Sequence, residues 1–246
     1  MFRDVGARVV VCARSGAGPD FVRCDVREPA EVTRLVSFVV TEYGRLDVLV
    51  NNSGGAPFAD TATASARFHE KVVALNLLAP LGVAQAAIAV MQQQETGGVI
   101  VNVSSVSATR PSPRTAAYGA AKAGLDNLTA TLAVEWAPKV RVNALDVGMV
   151  GTLPSLCDPS VAATVPLGRL ATPAEVGACA VLRGGCSKWT VAACPSRTAG
   201  ATARRATRVR AGRRPSWARW WLRCWPRRLH LNRCTALELV LSVARA

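Results

Sequence analysis

The chain has 246 residues, a formal net charge of +14 and a hydrophobic fraction of 50%. This length fits one domain of ordinary size followed by a tail. The chain contains two histidines and eight cysteines. Because no two cysteines form a C-x-x-C pair, the spacing excludes the common metal sites, and we expect no bound metal.

The longest apolar stretch, residues 75–91, is interrupted by Asn76 and Pro80 and is shorter than a comfortable membrane span. We therefore expect a buried helix there and no membrane association. Residues 1–4 carry no charged-then-apolar leader, so we expect a cytoplasmic protein.

Short aliphatic runs alternate with longer helical patterns along most of the chain. Strands are predicted at residues 8–12, 48–50, 99–103 and 140–143, and helices at residues 28–43, 64–93, 114–136 and 173–182. This alternation predicts an α/β fold, with a parallel sheet covered by helices on both faces. In such sheets the ligand binds beyond the carboxyl ends of the strands, which is where Asn52, Ser105 and Val147 are predicted to lie.

A polar turn follows the second of these runs. The buried-type segment 47–50 leads into Asn51, Asn52, Ser53 and Gly54, a glycine-containing turn of the kind that approaches a cofactor closely. Asn76 follows within the next helical pattern.

Tyr118 and Lys122 form a Y-x-x-x-K element, and Ser105 precedes it after the run 99–103. Residues four apart share a helix face, so the Lys122 ammonium would stabilise the phenolate of Tyr118 and lower the pKa of this phenol. Ser105 could then donate a hydrogen bond to a substrate oxygen while Tyr118 passes the proton. A Y-x-x-x-K element alone is more often a solvated helix face, and the accompanying residues favour the catalytic interpretation.

Taken in order, these elements resemble the short-chain dehydrogenase/reductase family. The resemblance covers about residues 2–182, with Ser53 in place of the usual alanine of an N-N-A-G turn. It implies a catalytic set in which Asn76 holds a proton-relay water, Ser105 orients the substrate, Tyr118 is the acid/base and Lys122 also binds the nicotinamide ribose. Tyr118 and Lys122 would thus both belong to the cofactor site.

The same resemblance implies further cofactor contacts. It places Asp25 and Val26 beside the adenine ring. Asn52, in the turn after a strand, would also contact the cofactor, and Val150 and Thr152 would lie near the nicotinamide carboxamide. Val147 stands where relatives have a proline, which leaves that turn less rigid.

The cofactor preference is suggested by one position. Relatives that prefer NAD(H) carry an acid at the end of the corresponding strand, whereas this chain has Ala13 and Arg14. Because an arginine suits a 2′-phosphate, the sequence favours NADP(H) over NAD(H). A solvated Arg14 with no role in cofactor choice is the alternative.

Two parts of the family pattern have no match in the chain. The strand and T-G-x-x-x-G-x-G turn that hold the cofactor pyrophosphate are not found, and residues 1–7 look like the end of the helix that follows that turn. The last strand and its V-D-G-G segment are also not found. We therefore expect a Rossmann-like, doubly wound parallel sheet that lacks its first and last strands. Two inner strand edges would then have no backbone partner, and cofactor affinity would be low.

Composition changes abruptly near Arg183, which suggests two parts: a dinucleotide-binding and catalytic domain at residues 1–182 and a tail at residues 183–246. The tail holds fourteen arginines, one lysine, a single acid (Glu238) and five of the six tryptophans, so it carries the whole net charge. Binding of single-stranded nucleic acid and of a membrane surface are two interpretations. The composition favours a third, a frameshifted and largely disordered segment.

The sequence therefore predicts an oxidoreductase that transfers a hydride between NAD(P)(H) and a secondary alcohol or ketone. The partner would be a small carbonyl or alcohol substrate, and the resemblance implies a homodimer or homotetramer. The alternative is a catalytically inactive remnant whose basic tail binds nucleic acid or has no function.

Overall fold

The structure is a computed structural model that describes residues 1–152, 162–163, 165, 167–185 and 239–243. Within these residues, one six-stranded sheet has the order β2-β1-β6-β3-β4-β5. The strands are β1 Arg8–Ala13, β2 Phe21–Arg23, β3 Val48–Asn51, β4 Gly98–Ser105, β5 Val140–Val147 and β6 Leu239–Val243.

The predicted α/β fold is confirmed. Strands β1 and β2 pair in parallel, as do β3 with β4 and β4 with β5. The four predicted strands are present, and each extends beyond its aliphatic run, by one residue in β1 and β3 and by more in β4 and β5. The three-residue strand β2 was not among them, since so short a run gives no periodic signal.

The expectation that two inner strand edges lack a backbone partner is wrong. Strand β6 lies between β1 and β3 and pairs antiparallel with both, with Leu241 opposite Val10 on one side and Leu49 on the other. An antiparallel strand can satisfy the hydrogen-bonding groups of two parallel neighbours, so the direction of the inserted strand does not prevent pairing. Apart from residues 183–185, which belong to a helix, and β6, the predicted disordered tail lies outside the described residues.

The helices cover both faces of the sheet. They are α1 Pro29–Tyr43, α2 Ala66–Val73, α3 Ala79–Met91, α4 Ala116–Glu135 and α5 Pro173–Gly185, with a π-helical segment Ala74–Leu78 that joins α2 to α3. Gly44 ends α1 in the left-handed conformation (φ 74°), which glycine adopts without steric cost. The Ser65 hydroxyl accepts a hydrogen bond from the Phe68 amide and caps α2.

The helical run Ala66–Met91 is longer than the apolar stretch predicted from the sequence. The π-helical segment carries the helix through Asn76 without a break, so that the run reaches 26 residues and has the length and mean hydropathy of a membrane span. Its α3 part packs against the sheet, where Val83, Ala87 and Met91 are buried in the core. Burial of this kind is also found in core helices of soluble proteins.

Two apolar cores lie on opposite faces of the sheet. On one face Val10, Leu49 and Ile100 pack with residues of α1, α3 and α4. On the other face the next residues along the strands, including Val50 and Val101, pack with α5. Because successive side chains of a strand point to opposite faces, aliphatic runs without alternation mark strands that are covered on both sides.

Candidate active site

The carboxyl ends of three parallel strands form one edge of the sheet. Asn51 ends β3, Ser105 ends β4 and Val147 ends β5, with Ser105 and Val147 directly paired in register. The turn after β3 and the start of α4 meet at this edge. The topology therefore brings together residues that are far apart in the sequence, as in other open α/β sheets.

Asn76 joins the π-helical segment to the turn after β3. Its side chain is fully buried, and its Oδ1 accepts a hydrogen bond from the Gly55 amide at 2.8 Å. Its Nδ2 donates to the carbonyl oxygens of Gly55 (2.9 Å) and Val72 (2.8 Å). Both amide hydrogens are thus used within the protein. A water held by this side chain, as the resemblance implies, would have to donate to Oδ1.

Lys122 is the buried cation of the site. Its side chain is 3% exposed, and Nζ donates a hydrogen bond to the Val103 carbonyl oxygen at 2.7 Å. A Cβ atom added to Gly54 would lie 3.2 Å from Nζ and 2.8 Å from Asn76 Oδ1, so Gly54 is the point where both side chains meet the turn. Burial lowers the pKa of Lys122 to about 8, against the opposing effect of the nearby Asp126 carboxylate.

Tyr118 lies one helical turn before Lys122 on α4. The Lys122 Nζ is 5.8 Å from the centroid of the Tyr118 ring, within the range of a cation–ring attraction. Tyr118 is half-buried and borders an open pocket. Its phenol therefore has a protonated amine on one side and an accessible space on the other.

Ser105 is buried where β4 meets the short 3-10 turn Val106–Ala108. Its Oγ accepts a hydrogen bond from the Ser107 amide at 3.2 Å, which leaves the hydroxyl hydrogen able to donate elsewhere. The turn packs closely on α4, because a Cβ atom on Gly119 would lie only 3.0 Å from the Ser107 carbonyl oxygen. The glycine beside Tyr118 thus permits the approach between the end of β4 and the start of α4.

Two acids near Lys122, Asp126 and Asp146, were not predicted from the sequence as part of the site. Burial is the main cause that raises the pKa of Asp126, and the neighbouring Asp146 carboxylate raises it further. Ser104 is paired with Asp146 in the sheet, and its Oγ donates to the Lys122 carbonyl oxygen at 3.4 Å. Asp126 follows Lys122 by four residues, which is the signal that could have identified it. Among the described residues, no group of three His, Cys, Asp or Glu side chains could hold a metal ion.

The predicted adenosine contacts lie at the ends of β1 and β2. Arg14 is exposed, and its charge contributes to lowering the pKa of Asp25. The main cause of that lowered pKa is Arg27, whose Nε and NH2 donate to the Asp25 carboxylate. The side chain of Val26 packs into the core, so only its backbone is available to a ligand. Arg27 was missed from the sequence, although its position two residues after an acid was a usable signal.

The remaining predicted contacts lie on separate loops. Asn52 is exposed just after β3, and Thr152 is exposed after β5. Val150 forms an isolated parallel bridge with Ala171, whose amide donates to the Met149 carbonyl oxygen at 3.0 Å. The bridge ties the loop after β5 to the segment before α5. Residues 153–161, which follow Thr152, lie outside the described residues.

Comparison with known proteins relates this geometry to established relatives. The family model described as Enoyl-(Acyl carrier protein) reductase matches residues 3–183. An L-fucose dehydrogenase of Oryctolagus cuniculus is 34% identical over 203 residues, which cover 73% of this chain and 71% of the relative. A 3alpha-hydroxysteroid dehydrogenase of Mediterraneibacter gnavus is 34% identical over 157 residues, 61% of this chain and 62% of that protein.

Solved structures show the same fold. A Burkholderia xenovorans protein described as belonging to the short-chain dehydrogenases/reductases superposes with a TM-score of 0.62 at 28% identity, over 68% of this chain and 69% of the other. ElxO with NADP bound superposes with a TM-score of 0.64 at 27% identity, over 70% of this chain and 72% of ElxO.

The chain spans 64% and 62% of the lengths of two of its curated relatives, so the activity of the whole protein is a matter for proposal. The family itself is shown by the extent of the match and by the agreement of sequence relatives with structural neighbours. The chain belongs to the short-chain dehydrogenase/reductase family.

Proposed function

We propose that the protein is an oxidoreductase that interconverts a secondary alcohol and a ketone with a nicotinamide cofactor. The observation that carries this proposal is the buried ammonium of Lys122 beside the ring of Tyr118. Burying a cation costs free energy, which its hydrogen bond to the Val103 carbonyl oxygen offsets only in part. Here its position suits stabilisation of the phenolate that forms when Tyr118 gives up a proton.

Each residue of the site would have a separate role in the reduction of a ketone. The Ser105 hydroxyl would donate a hydrogen bond to the substrate oxygen, and the Tyr118 hydroxyl would transfer its proton to that oxygen as the carbonyl double bond opens. Lys122 would stabilise the resulting phenolate until a proton returns from solvent. Asn76 would hold the turn at Gly54 and Gly55 against Lys122. The oxidation of an alcohol follows the same steps in reverse.

The residues present fit a nicotinamide dinucleotide at both ends. The donor set at the ends of β1 and β2 contains the guanidinium groups of Arg14 and Arg27, which suit the adenosine end. Lys122 and Tyr118 suit the nicotinamide ribose, with Gly54 giving close backbone approach. When bound, the nicotinamide supplies or accepts the hydride.

The first test replaces Tyr118 with phenylalanine. We expect Tyr118→Phe to lower kcat for ketone reduction by about 100- to 10,000-fold, because the general acid is lost. The measurement follows the absorbance of the reduced cofactor with a panel of ketones. The matched control is Tyr43→Phe, which changes the other of the chain's two tyrosines, at the end of α1. If Tyr118→Phe retained the activity of the control, the assignment of Tyr118 would fail.

The preference for NADP(H) is a finer part of the proposal. Arg27 already neutralises the Asp25 carboxylate, and Arg14 adds a second guanidinium at the same strand ends. An uncompensated acid at this edge would repel a 2′-phosphate, whereas this arrangement presents net positive charge. Structural neighbours include ElxO with NADP bound and a xylitol dehydrogenase with NAD+ bound, so they support a nicotinamide cofactor, and the preference for NADP(H) rests on the two arginines.

Arg14→Ala tests this preference. We expect the KM for NADPH to rise about 10- to 100-fold, as for the loss of hydrogen bonds to a charged group, and the KM for NADH to change little. Arg34→Ala is the control, since Arg34 is an exposed arginine on α1. Equal increases for NADPH and NADH would remove Arg14 from cofactor selection.

We also propose that the protein forms a homodimer or homotetramer through α3 and α4. Large apolar side chains are exposed nearby, with Leu78 at 56% and Val134 at 74%. An interface that uses both helices would cover such side chains. Light scattering during gel filtration would show a multiple of the chain's 25.9 kDa mass, and a monomer would contradict the proposal.

An inactive remnant is the less favoured alternative, because its buried lysine would have a desolvation cost and no function. A cytoplasmic location fits the proposed use of a soluble cofactor and remains a proposal. Fractionation of cells that express the full chain would test it, and recovery with membranes would contradict it.

A further inference from the structure

A pocket opens beside Tyr118, between the turn after β3 and helices α2 and α4. The space between its walls, counted together with the open solvent at its mouth, is about 210 Å³. Pro57 comes from the turn, Phe68 and Val72 come from one face of α2, and the wall opposite comes from Arg114 and the residues that lead into α4. The pocket is therefore apolar on two sides and ends at the phenol that we assign to proton transfer.

The pocket lining contains a positively charged side chain and no negatively charged one. Arg114 supplies a guanidinium group, and His69, Thr61 and Thr115 supply an imidazole and two hydroxyls. No Asp or Glu lies among the lining residues, all of which belong to the described part of the chain. No ion pair joins Arg114 to an acid within the described residues. A cation without a paired carboxylate favours an anionic ligand.

His69 adds an unsatisfied group to this wall. Its Nδ1 is buried and has no hydrogen-bond partner among the described residues. The imidazole lies edge-on to Phe68, with ring centroids 5.4 Å apart and planes at 76°. Buried polar atoms normally have partners, so this nitrogen is an unsatisfied polar atom in a residue that lines the pocket.

The backbone at Arg114 holds the two walls together. Arg114 has a φ of 69°, a left-handed conformation that is uncommon for a residue other than glycine. Its carbonyl oxygen accepts a hydrogen bond from the Ala59 amide at 3.0 Å. The turn after β3 is thereby tied to the residue that carries the cation. Strained residues that surrounding contacts hold in place are concentrated at functional sites.

We propose that this pocket is a substrate subsite that binds an anionic group, a carboxylate in the first instance. The substrate would be a ketone or secondary alcohol whose reacting carbon lies at Tyr118 and whose carboxylate pairs with Arg114. Its intervening carbon chain would lie against Phe68 and Val72. The inference rests on the proposed oxidoreductase function and names the class of its substrate.

The test compares ketoacids with their uncharged esters. The full-length chain is assayed with 4-oxopentanoate, 5-oxohexanoate and 6-oxoheptanoate and with the methyl ester of each. We expect kcat/KM for at least one acid to exceed that of its ester by about 10- to 100-fold, the range for a hydrogen bond to a charged group. Equal values for acids and esters at all three lengths would overturn the proposal.

Three variants locate the effect. Arg114→Gly removes the cation while suiting the left-handed backbone, so it is the variant most compatible with folding. We expect it to reduce the acid-to-ester ratio to about one, and Arg114→Lys to retain a preference for the acid. Arg67→Gln is the matched control, since Arg67 is an exposed arginine of α2 outside the pocket lining, and it should leave the ratio unchanged. If Arg114→Gly lowered the two activities by the same factor, Arg114 would have no role in recognising charge.

A binding measurement separates failure of this inference from failure of the proposed reaction. If no ketone is reduced by any form of the protein, the oxidoreductase assignment fails, and the pocket is tested by ligand-observed NMR with the same acids. Binding of an acid to the native chain that is lost in Arg114→Gly would support the anionic subsite. Signals that are equal for acid and ester, or for native chain and variant, would overturn it.

Discussion

In the half of the sheet formed by β3, β4 and β5, the strands are direct parallel neighbours and carry the candidate active site at their carboxyl ends. Strands β1 and β2, which carry the predicted adenosine contacts, reach that half within the sheet only through β6. The first half is assembled from consecutive segments of the chain. The second depends on a strand contributed from more than 180 residues away along the chain from β3.

This difference separates the residues that would carry out the reaction from the strands that would bind the adenosine part of the cofactor. Lys122 is held by Val103 and meets Gly54 and Asn76, all within β3, β4 and the helices that connect them. Arg14 and Asp25 lie beyond β6. We therefore expect perturbation of β6 to affect cofactor binding first, and perturbation of the turn at Gly54 to affect turnover first.

The largest effect should come from Leu241→Pro in the middle of β6. Proline has no amide hydrogen, so it removes a backbone hydrogen bond that β6 makes to a neighbouring strand. We expect the fold to be destabilised by about 3 kcal/mol or more. Urea unfolding would measure the loss, and Leu241→Val, which keeps the backbone amide, is the control. Hydrogen exchange should accelerate in β1 more than in β5. Unchanged exchange in β1 would show that the two halves do not depend on β6.

The second prediction concerns the free energy of unfolding of Lys122→Met, compared with that of the native chain as a function of pH. The pKa of Lys122 is about 8 in the folded protein and 10.5 as the ordinary value, so between these limits the unfolded chain binds more protons. The free energy of unfolding of the native chain should therefore rise with pH relative to the variant, by up to about 3 kcal/mol between pH 8 and 10.5. Below pH 8 both states are protonated and the difference should be constant. A difference that stays flat up to pH 10.5 would mean that Lys122 is not desolvated.

Gly54→Ala should have a smaller effect on stability and a selective effect on turnover. The new Cβ atom would lie 2.8 Å from Asn76 Oδ1 and 3.2 Å from Lys122 Nζ, so the turn or both side chains must shift. We expect kcat to fall about 100-fold, as for a small displacement of a catalytic group. Gly82→Ala is the control, because a Cβ atom there meets nothing within 4 Å. Equal kcat values for the two variants would contradict the role of the turn.

Much of the first half could be predicted from the sequence. The aliphatic runs gave the positions of β3, β4 and β5, as well as β1 in the other half, and the spacing of Tyr118 and Lys122 placed them on one helix face. The pairing of Ser104 with Asp146 was not predictable, because it depends on the register between β4 and β5, whereas the spacing of Asp126 from Lys122 was a usable signal. The left-handed conformation of Arg114 was missed because a short polar segment contains no periodic signal. The ion pair of Arg27 with Asp25 was missed although the two residues are close in the sequence.

The sequence by itself determined the α/β class, the family and the identity of the candidate catalytic residues, because these follow from periodicity and from short local motifs. Only the tertiary structure decided that β6 pairs between β1 and β3, that Asn76 is tied to Gly55, and that Arg114 borders a pocket with no acid among its lining residues. Each of these depends on contacts between distant segments. Strand pairing and burial are set by the free energy of the whole assembled core, which no local pattern contains.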